Sequence, residues 1–452
     1  MKFDVIVVGA GTAGCLAAKT AAEAGLKVGI IERKTQEDIG DKICGDALGE
    51  HHVKSVKLPD PPVDVIDAKI EGIKIYSPDL ETIFTVRHED FSGYLLDRKR
   101  FGQWLLRMAL DAGANLFDAT LCLEPIISNG AAIGVTAKNL RTGRVERFIA
   151  KVVVDASGFS AVIRRKLPRD MNVENEVSND DVEACYREIR QLKNGVESKY
   201  CEIYLNQDVT PGGYAWLFYK GRSRVNAGLG VCMRKGFPNP RSQFYRHVIN
   251  KPIFEGSTIL SAGAWYDPTR RPLDNMVGNG VIITGDAACL VNPIHGGGIG
   301  PSMLSGFLAG RAIIDALEDG DVSQQALWPY NVHYMSHYGA KQASLDVFRM
   351  LLITCSNEDL NYGMKYKLLT EEDVLKAGLG EKFHLNITET ARRVFRGIRR
   401  PHFLNKLRAA VNLMNKVRDH YAKYPETPRD FASWKAETEA IFNEARLKLL
   451  AE

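Results

Sequence analysis

The chain has 452 residues, 45% of them hydrophobic and 25% charged, and a formal net charge of +4. This length exceeds one simple core and suits two domains with an appendage, in a composition that is ordinary for a globular protein. So small a charge argues against a nucleic-acid-coating protein, no apolar run reaches the ~18–20 residues of a membrane span, and the eight cysteines include no CxxC pair for zinc or thioredoxin-like chemistry.

Phe3–Val8 (FDVIVV) is a short apolar run of the kind buried on both faces of a parallel sheet. Thr12–Ala24 is alanine-rich with Gly25 behind it, a helix with its C-terminal stop, and Lys27–Ile31 (KVGII) is a second buried strand. Opening on a strand pattern and carrying scattered cysteines, the chain is expected to lack a cleaved leader and to work in a reducing cytoplasm. Residues 64–95 alternate like antiparallel strands, and Lys99–Leu110 is helical up to Gly113. Strands follow at 120–127, 131–137 and 145–154, separated by turn signals at Asn129-Gly130 and Thr142-Gly143. Residues 183–265 form a further antiparallel sheet, Val281–Thr284 returns to the buried-strand pattern, and from about 323 onward the chain is helical. No repeat or low-complexity linker separates these parts, so the domains are interleaved.

Gly9-Ala10-Gly11-Thr12-Ala13-Gly14 matches G-x-G-x-x-G, follows a strand, opens a helix and precedes a second strand ending at Glu32. That context is what a dinucleotide site requires. Gly9 permits the tight turn, Gly11 lets the backbone approach a pyrophosphate, and Gly14 allows close helix–strand packing. Glu32 accepts hydrogen bonds from ribose hydroxyls, and an acid there repels the 2′-phosphate of NADP. Val281–Ala288 (VIITGDAA) then leads into a second glycine-dense helix start, His295–Gly300 (HGGGIG). A helix start so far down the chain suits the far end of an extended dinucleotide and so favours FAD over NAD. Asp286 can bond a ribityl hydroxyl, and the amides of Gly298 and Ile299 can stabilise an anionic flavin ring.

The fold class is α/β with α+β elements: a Rossmann-like FAD-binding domain (1–65, 96–165 and 270–335), an interleaved antiparallel β-sheet substrate domain (66–95 and 166–269), and a helical C-terminal region (336–452).

Three segments carry a narrower resemblance: Lys42-Ile43-Cys44-Gly45-Asp46-Ala47; Pro211-Gly212-Gly213-Tyr214-Ala215-Trp216-Leu217-Phe218 with Gly228-x-Gly230; and Gly285-Asp286 with Pro293 and the glycine loop. Together with Leu96-Asp97-Arg98 and Val154-Asp155-Ala156-Ser157-Gly158, they resemble the p-hydroxybenzoate hydroxylase-like flavoprotein superfamily. Within it they resemble the geranylgeranyl reductases of the archaeal digeranylgeranylglycerophospholipid reductase type. Tyr219 departs from the pattern, which has proline there. The resemblance implies FAD contacts at Ala13, Glu32, Cys44, Gly45, Ala47, Arg98, Asp286, Gly298 and Ile299. Arg98 suits a pyrophosphate, where a guanidinium bonds two oxygens, unless Asp97 simply pairs with it.

The implied reaction saturates isolated C=C bonds in geranylgeranyl chains. Flavin supplies hydride, and an acid protonates the other carbon. Tyr214, Trp216 and Phe218 share one face of a strand and form either a prenyl-channel wall or the domain's own core. Cys44 either donates the proton or is a small residue packed against flavin, with His295 as the rival donor. The electron source is open between NAD(P)H and a reduced carrier protein, no metal site is expected, and oligomeric state is not legible. From Ala391 to His420 nine Lys/Arg and one acid interleave with Val394, Phe395, Ile398, Phe403, Leu404, Leu407, Val411 and Leu413. That stretch is either a peripheral membrane contact for a prenyl lipid substrate or the solvated face of a packing helix. Two rival functions share the fold: a flavin monooxygenase or halogenase, and a non-catalytic flavin electron carrier.

Overall fold

Lys2–Val8, Val28–Ile31, Val145–Asp155 and Val281–Ile283 lie as parallel strands, with Val5, Ile30, Val153 and Ile282 completely buried. Strands covered on both faces need no polar side, which is why these segments read as continuous Val/Ile runs. The computed structural model describes residues 1–88, 92–379, 392–393 and 396–450. Its first sheet runs in the order Val277–Gly278, Val281–Ile283, Val145–Asp155, Lys2–Val8, Val28–Ile31, Asn115–Phe117. An antiparallel branch of Ala131–Asn139 and Thr120–Ser128 leaves from Val145–Asp155.

The second sheet runs Thr258–Asp267, Glu183–Gln191, Arg224–Cys232, Ala215–Tyr219, Tyr200–Tyr204, Gly72–Tyr76, Ile83–Arg87. The sequence pattern predicts antiparallel pairing throughout, but Tyr200–Tyr204 joins Gly72–Tyr76 in parallel. These two strands come from separate stretches of chain, so no hairpin dictates their relative direction. Tyr219, in the place of the family's proline, stays in register opposite Val225, and the strand turns after it through a Lys220 N–H bond to the Arg224 carbonyl at 2.8 Å. A third, small sheet of Ala47–Gly49, Gly93–Leu96 and Ile66–Ile70 bridges the larger two. Its Leu48, Tyr94 and Leu96 enter the main core, while Ile70 and Leu95 pack with Ile203, Trp216 and Phe218.

Two helices position the site. Thr12–Glu23 packs on Ile299–Glu318, where Ser302, Gly306 and Gly310 recur every fourth residue. A methyl group on Gly306 would stand 2.2 Å from the Ala13 carbonyl oxygen, and one on Gly310 2.5 Å from Thr20 Cβ. Glycine alone allows this approach, which brings both helix N-termini to one crevice.

The C-terminal helix Pro401–Tyr421 packs against Ala340–Thr354 and Phe431–Leu449. Phe403, Leu404, Leu407 and Leu413 are buried there and Val411 is half-buried, so the apolar side of this helix packs against protein, while Ile398 before it is exposed. Ala391, Val394 and Phe395 lie outside the described residues. No helix among the described residues is long and apolar enough to cross a membrane.

Candidate functional site

The glycine loop takes the conformation its spacing predicts. Gly9 has φ +103°, and a side chain on Gly14 would stand 1.9 Å from the Gly9 carbonyl oxygen. Gly11 differs: a methyl there would meet only the Lys42 ammonium, 2.9 Å away. The pocket over this loop is lined by Gly11, Thr12, Gly40, Lys42 and Arg98. Arg98 Nη2 donates to Thr12 Oγ1 at 3.0 Å, while its buried Nε has no hydrogen-bond partner among the described residues. Asp97 does not take Arg98: its carboxylate caps the helix Arg98–Asp111 by accepting from Arg100 N–H at 3.0 Å. Two cations, a helix N-terminus and an unsatisfied guanidinium N–H thus converge where glycine leaves room for a pyrophosphate. Glu32 accepts from Ala10 N–H at 2.8 Å and Lys34 N–H at 2.9 Å, anchoring the loop with lone pairs left for a ribose. Sequence alone gives Lys42 no role in the site. A loop lysine carries no periodic signal, and only its place two residues before Cys44 marks it.

The second helix start completes the crevice. Gly298 caps Ile299–Glu318, and Asp286 Oδ1 lies 3.4 Å from where a Gly298 Cβ would be. Burial raises the Asp286 pKa, against the pull of Lys42 and Arg98. Ala13 does not line open space: it packs where Gly285 and Gly306 have no side chains.

Between this crevice and the second sheet lies the segment Lys42–Ala47. Asn226 Nδ2 donates to the Cys44 carbonyl at 2.7 Å and to Asp46 Oδ2 at 2.9 Å, and Lys220 Nζ reaches the same Asp46 oxygen at 2.7 Å. Asp46 is fully buried at φ +67°, a conformation aspartate tolerates better than most residues. Trp216 Nε1 donates to Asn226 Oδ1 at 3.0 Å, Phe218 touches Gly45, and Tyr214 OH donates to the His295 carbonyl at 2.6 Å. The aromatic row therefore forms the floor under the Cys44 turn. Trp216 and Phe218 are each only 7% exposed. Trp216→Phe leaves Asn226 Oδ1 unpaired inside the protein and is expected to cost about 1–3 kcal/mol of stability in chemical denaturation. An unchanged midpoint would assign the ring to packing alone.

Burial, then the Asp46 charge, raise the Cys44 thiol pKa above its ordinary value, so the proton stays on sulfur. His295 Nδ1 accepts from Gly297 N–H at 3.1 Å, which only an unprotonated nitrogen can do. Surrounding protein and the Lys341 charge push its pKa down to about 4, although one edge of the residue is open to solvent. Cys44 thus keeps its proton on sulfur, while His295 presents an unprotonated Nδ1 to Gly297.

Residues 181–265, the heart of the second sheet, match the family described as geranylgeranyl reductase catalytic domain, and residues 4–57 match glucose inhibited division protein A. The digeranylgeranylglycerophospholipid reductase of Sulfolobus acidocaldarius is 40% identical over 447 residues, 98% of each chain. The protein of that name from Methanothrix thermoacetophila is 33% identical over 384 residues, 84% of this chain and 94% of its own. A geranylgeranyl bacteriochlorophyll reductase-like protein of Thermoplasma acidophilum superposes with a TM-score of 0.75 at 24% identity, over 90% of this chain and 99% of its own. The myxobacterial chondrochloren halogenase, an FAD-dependent enzyme, superposes at 0.65 with 17% identity over 97% of each chain, a likeness of fold. The chain therefore belongs to the digeranylgeranylglycerophospholipid reductase family, and the dinucleotide its crevice is built for is FAD.

Proposed function

We propose that the protein uses FAD to saturate C=C bonds of geranylgeranyl chains on an archaeal-type glycerophospholipid. The observation that carries this reading is that one segment, Lys42–Ala47, borders the FAD cradle at Lys42 and rests on the aromatic sheet face at Gly45. Bound flavin, once reduced, supplies hydride. The remaining tasks fall to this chain. An isolated alkene is not polarised, so the second carbon needs a proton from a group that holds one at neutral pH, and the Cys44 thiol meets that need. Arg98, Lys42 and Glu32 hold the ADP half, Asp286 the ribityl chain, and the amides after Gly298 the far edge of the ring.

The division of labour we assign is 1–65, 96–165 and 270–335 for FAD, 66–95 and 166–269 for substrate, and 336–452, helical through most of its described residues, as a buttress. Approach to a membrane lipid, at the cytoplasmic face, rests on exposed cations such as Arg396, Arg399 and Arg408, by charge rather than insertion. The test is direct. Anaerobically reduced protein mixed with digeranylgeranylglycerophospholipid should become reoxidised as the lipid gains the mass of two hydrogens per bond. Reoxidation by oxygen alone, with a hydroxylated or halogenated product, would point to a monooxygenase instead. Reduced flavin that never yields electrons to a prenyl lipid would point to a carrier.

A further inference from the structure

A donor thiol must regain its proton after every turnover, and the sheet face crossed by the residues just before Cys44 carries two carboxyl groups, Glu183 and Asp267. The face of Glu183–Gln191 that carries Arg187 also carries Cys185 and Glu183, at two-residue spacing. Arg187 donates to the Lys42 carbonyl at 3.1 Å and to Ser261 Oγ at 2.9 Å, and Ile43 packs where Gly263 has no side chain. Lys42 and Ile43 therefore lie across this face, and Cys44 follows them directly in the chain. One step further along, the Cys185 thiol meets Asp267 Oδ2 at 3.6 Å, and Glu183 stands opposite Asp267 in the ladder. On the other neighbouring strand Gly230 leaves a gap over which both side chains lie, with Glu183 Oε2 2.8 Å and Cys185 Sγ 3.3 Å from where its Cβ would be. Glu183 is 7% exposed, and its side chain makes no hydrogen bond or ion pair among the described residues. A buried carboxyl without a partner is costly as an anion and is kept as an acid.

We propose that Glu183 and Asp267, bridged by Cys185, hold the proton that recharges Cys44 after alkene reduction and draw it from solvent at the exposed Asp180 end of the strand. The proposal rests on the reductase reading above. In the step it serves, hydride from reduced flavin bonds to one alkene carbon and the Cys44 proton to the other. The π bond is consumed and the flavin loses two electrons. The thiolate left behind takes a proton from the carboxyl pair, and water reprotonates the carboxylate. Burial and the Asp267 charge push Glu183 up to about 8, against Arg349. Burial and Asp286 push Asp267 up to about 7, against the Cys185 bond and Lys42. Tyr214, whose own pKa is raised, and Cys44 are the other titratable groups facing the pair. The thiol is raised above an ordinary value that already exceeds both carboxyls, so the transfer runs downhill. Glu183 and Asp267 act through Cys44 and are positioning residues.

Glu183→Gln and Asp267→Asn, in the FAD-loaded protein, test this in two ways. Native Glu183 keeps its proton up to about 8, whereas the unfolded chain has released it above ~4.3. Between those values the native state binds more protons, so wild-type Tm should fall as pH rises, and Glu183→Gln should flatten that fall. In anaerobic mixing with a geranylgeranyl lipid, both variants should retain flavin and a normal first turnover, because Cys44 begins as the protonated thiol. Repeated turnover should slow roughly tenfold or more and lose the wild-type decline above neutral pH. Glu183→Asp, which restores an acid, should restore that decline and serves if the glutamine variant does not fold. An unchanged pH dependence of Tm in Glu183→Gln, or repeated turnover with the wild-type profile in both variants, overturns the proposal alone. Failure of the wild-type protein to reduce any prenyl lipid overturns the reductase reading and this proposal with it.

Discussion

Cys44→Ser is expected to slow alkene reduction by ~10²–10⁴-fold, the usual scale for removing a general acid. Serine keeps the size of the side chain and the turn, whose geometry is set from outside by Asn226 and Lys220 rather than by sulfur. The Cys44 sulfur does accept from Asp46 N–H at 3.3 Å, a bond the serine oxygen can replace. Flavin content and reduction of the flavin by its electron donor should therefore survive. The slow step then moves to reoxidation by substrate, visible as a persistently bleached flavin in stopped flow. Near-normal reoxidation in the serine variant would assign Cys44 to packing. Loss of both half-reactions would mean that the turn positions the flavin.

Arg98→Met should weaken FAD binding by about 1.5–3 kcal/mol, roughly tenfold to a hundredfold, the range for a hydrogen bond to a charged group. Lys42→Met should act in the same direction and less strongly, because an ammonium meets a pyrophosphate as a point charge whereas a guanidinium bonds two of its oxygens. Folding should tolerate the arginine change, since it removes a buried N–H that has no partner among the described residues. Flavin retained through gel filtration and fluorescence titration of the apoprotein would measure both. Arg100→Met serves as the control: that side chain lies at the surface near Asp64 and Asp97, so its loss should leave FAD affinity unchanged. If the Arg98 variant binds FAD as tightly as the Arg100 variant, the pyrophosphate assignment is wrong.

Features of contiguous chain were legible in the sequence. The Val/Ile runs, the G-x-G-x-x-G turn with Glu32 after it, the second glycine-rich helix start at Gly298 and the alternation of Tyr214, Trp216 and Phe218 follow from local periodicity and from backbone shapes that glycine permits. Whatever joins distant segments was decided only in three dimensions. Lys42 lies over Gly11, Asn226 holds Cys44 and Asp46, Gly72–Tyr76 adds in parallel to Tyr200–Tyr204, and Glu183 faces Asp267. Each of these depends on strand register and on which segment crosses which face, and a one-residue slip would turn every such side chain away. The basic C-terminal stretch shows the same limit. Its apolar stripe announces that something covers it, but amphipathicity does not distinguish lipid from protein, and over Pro401–Tyr421 the helices Ala340–Thr354 and Phe431–Leu449 supply the cover.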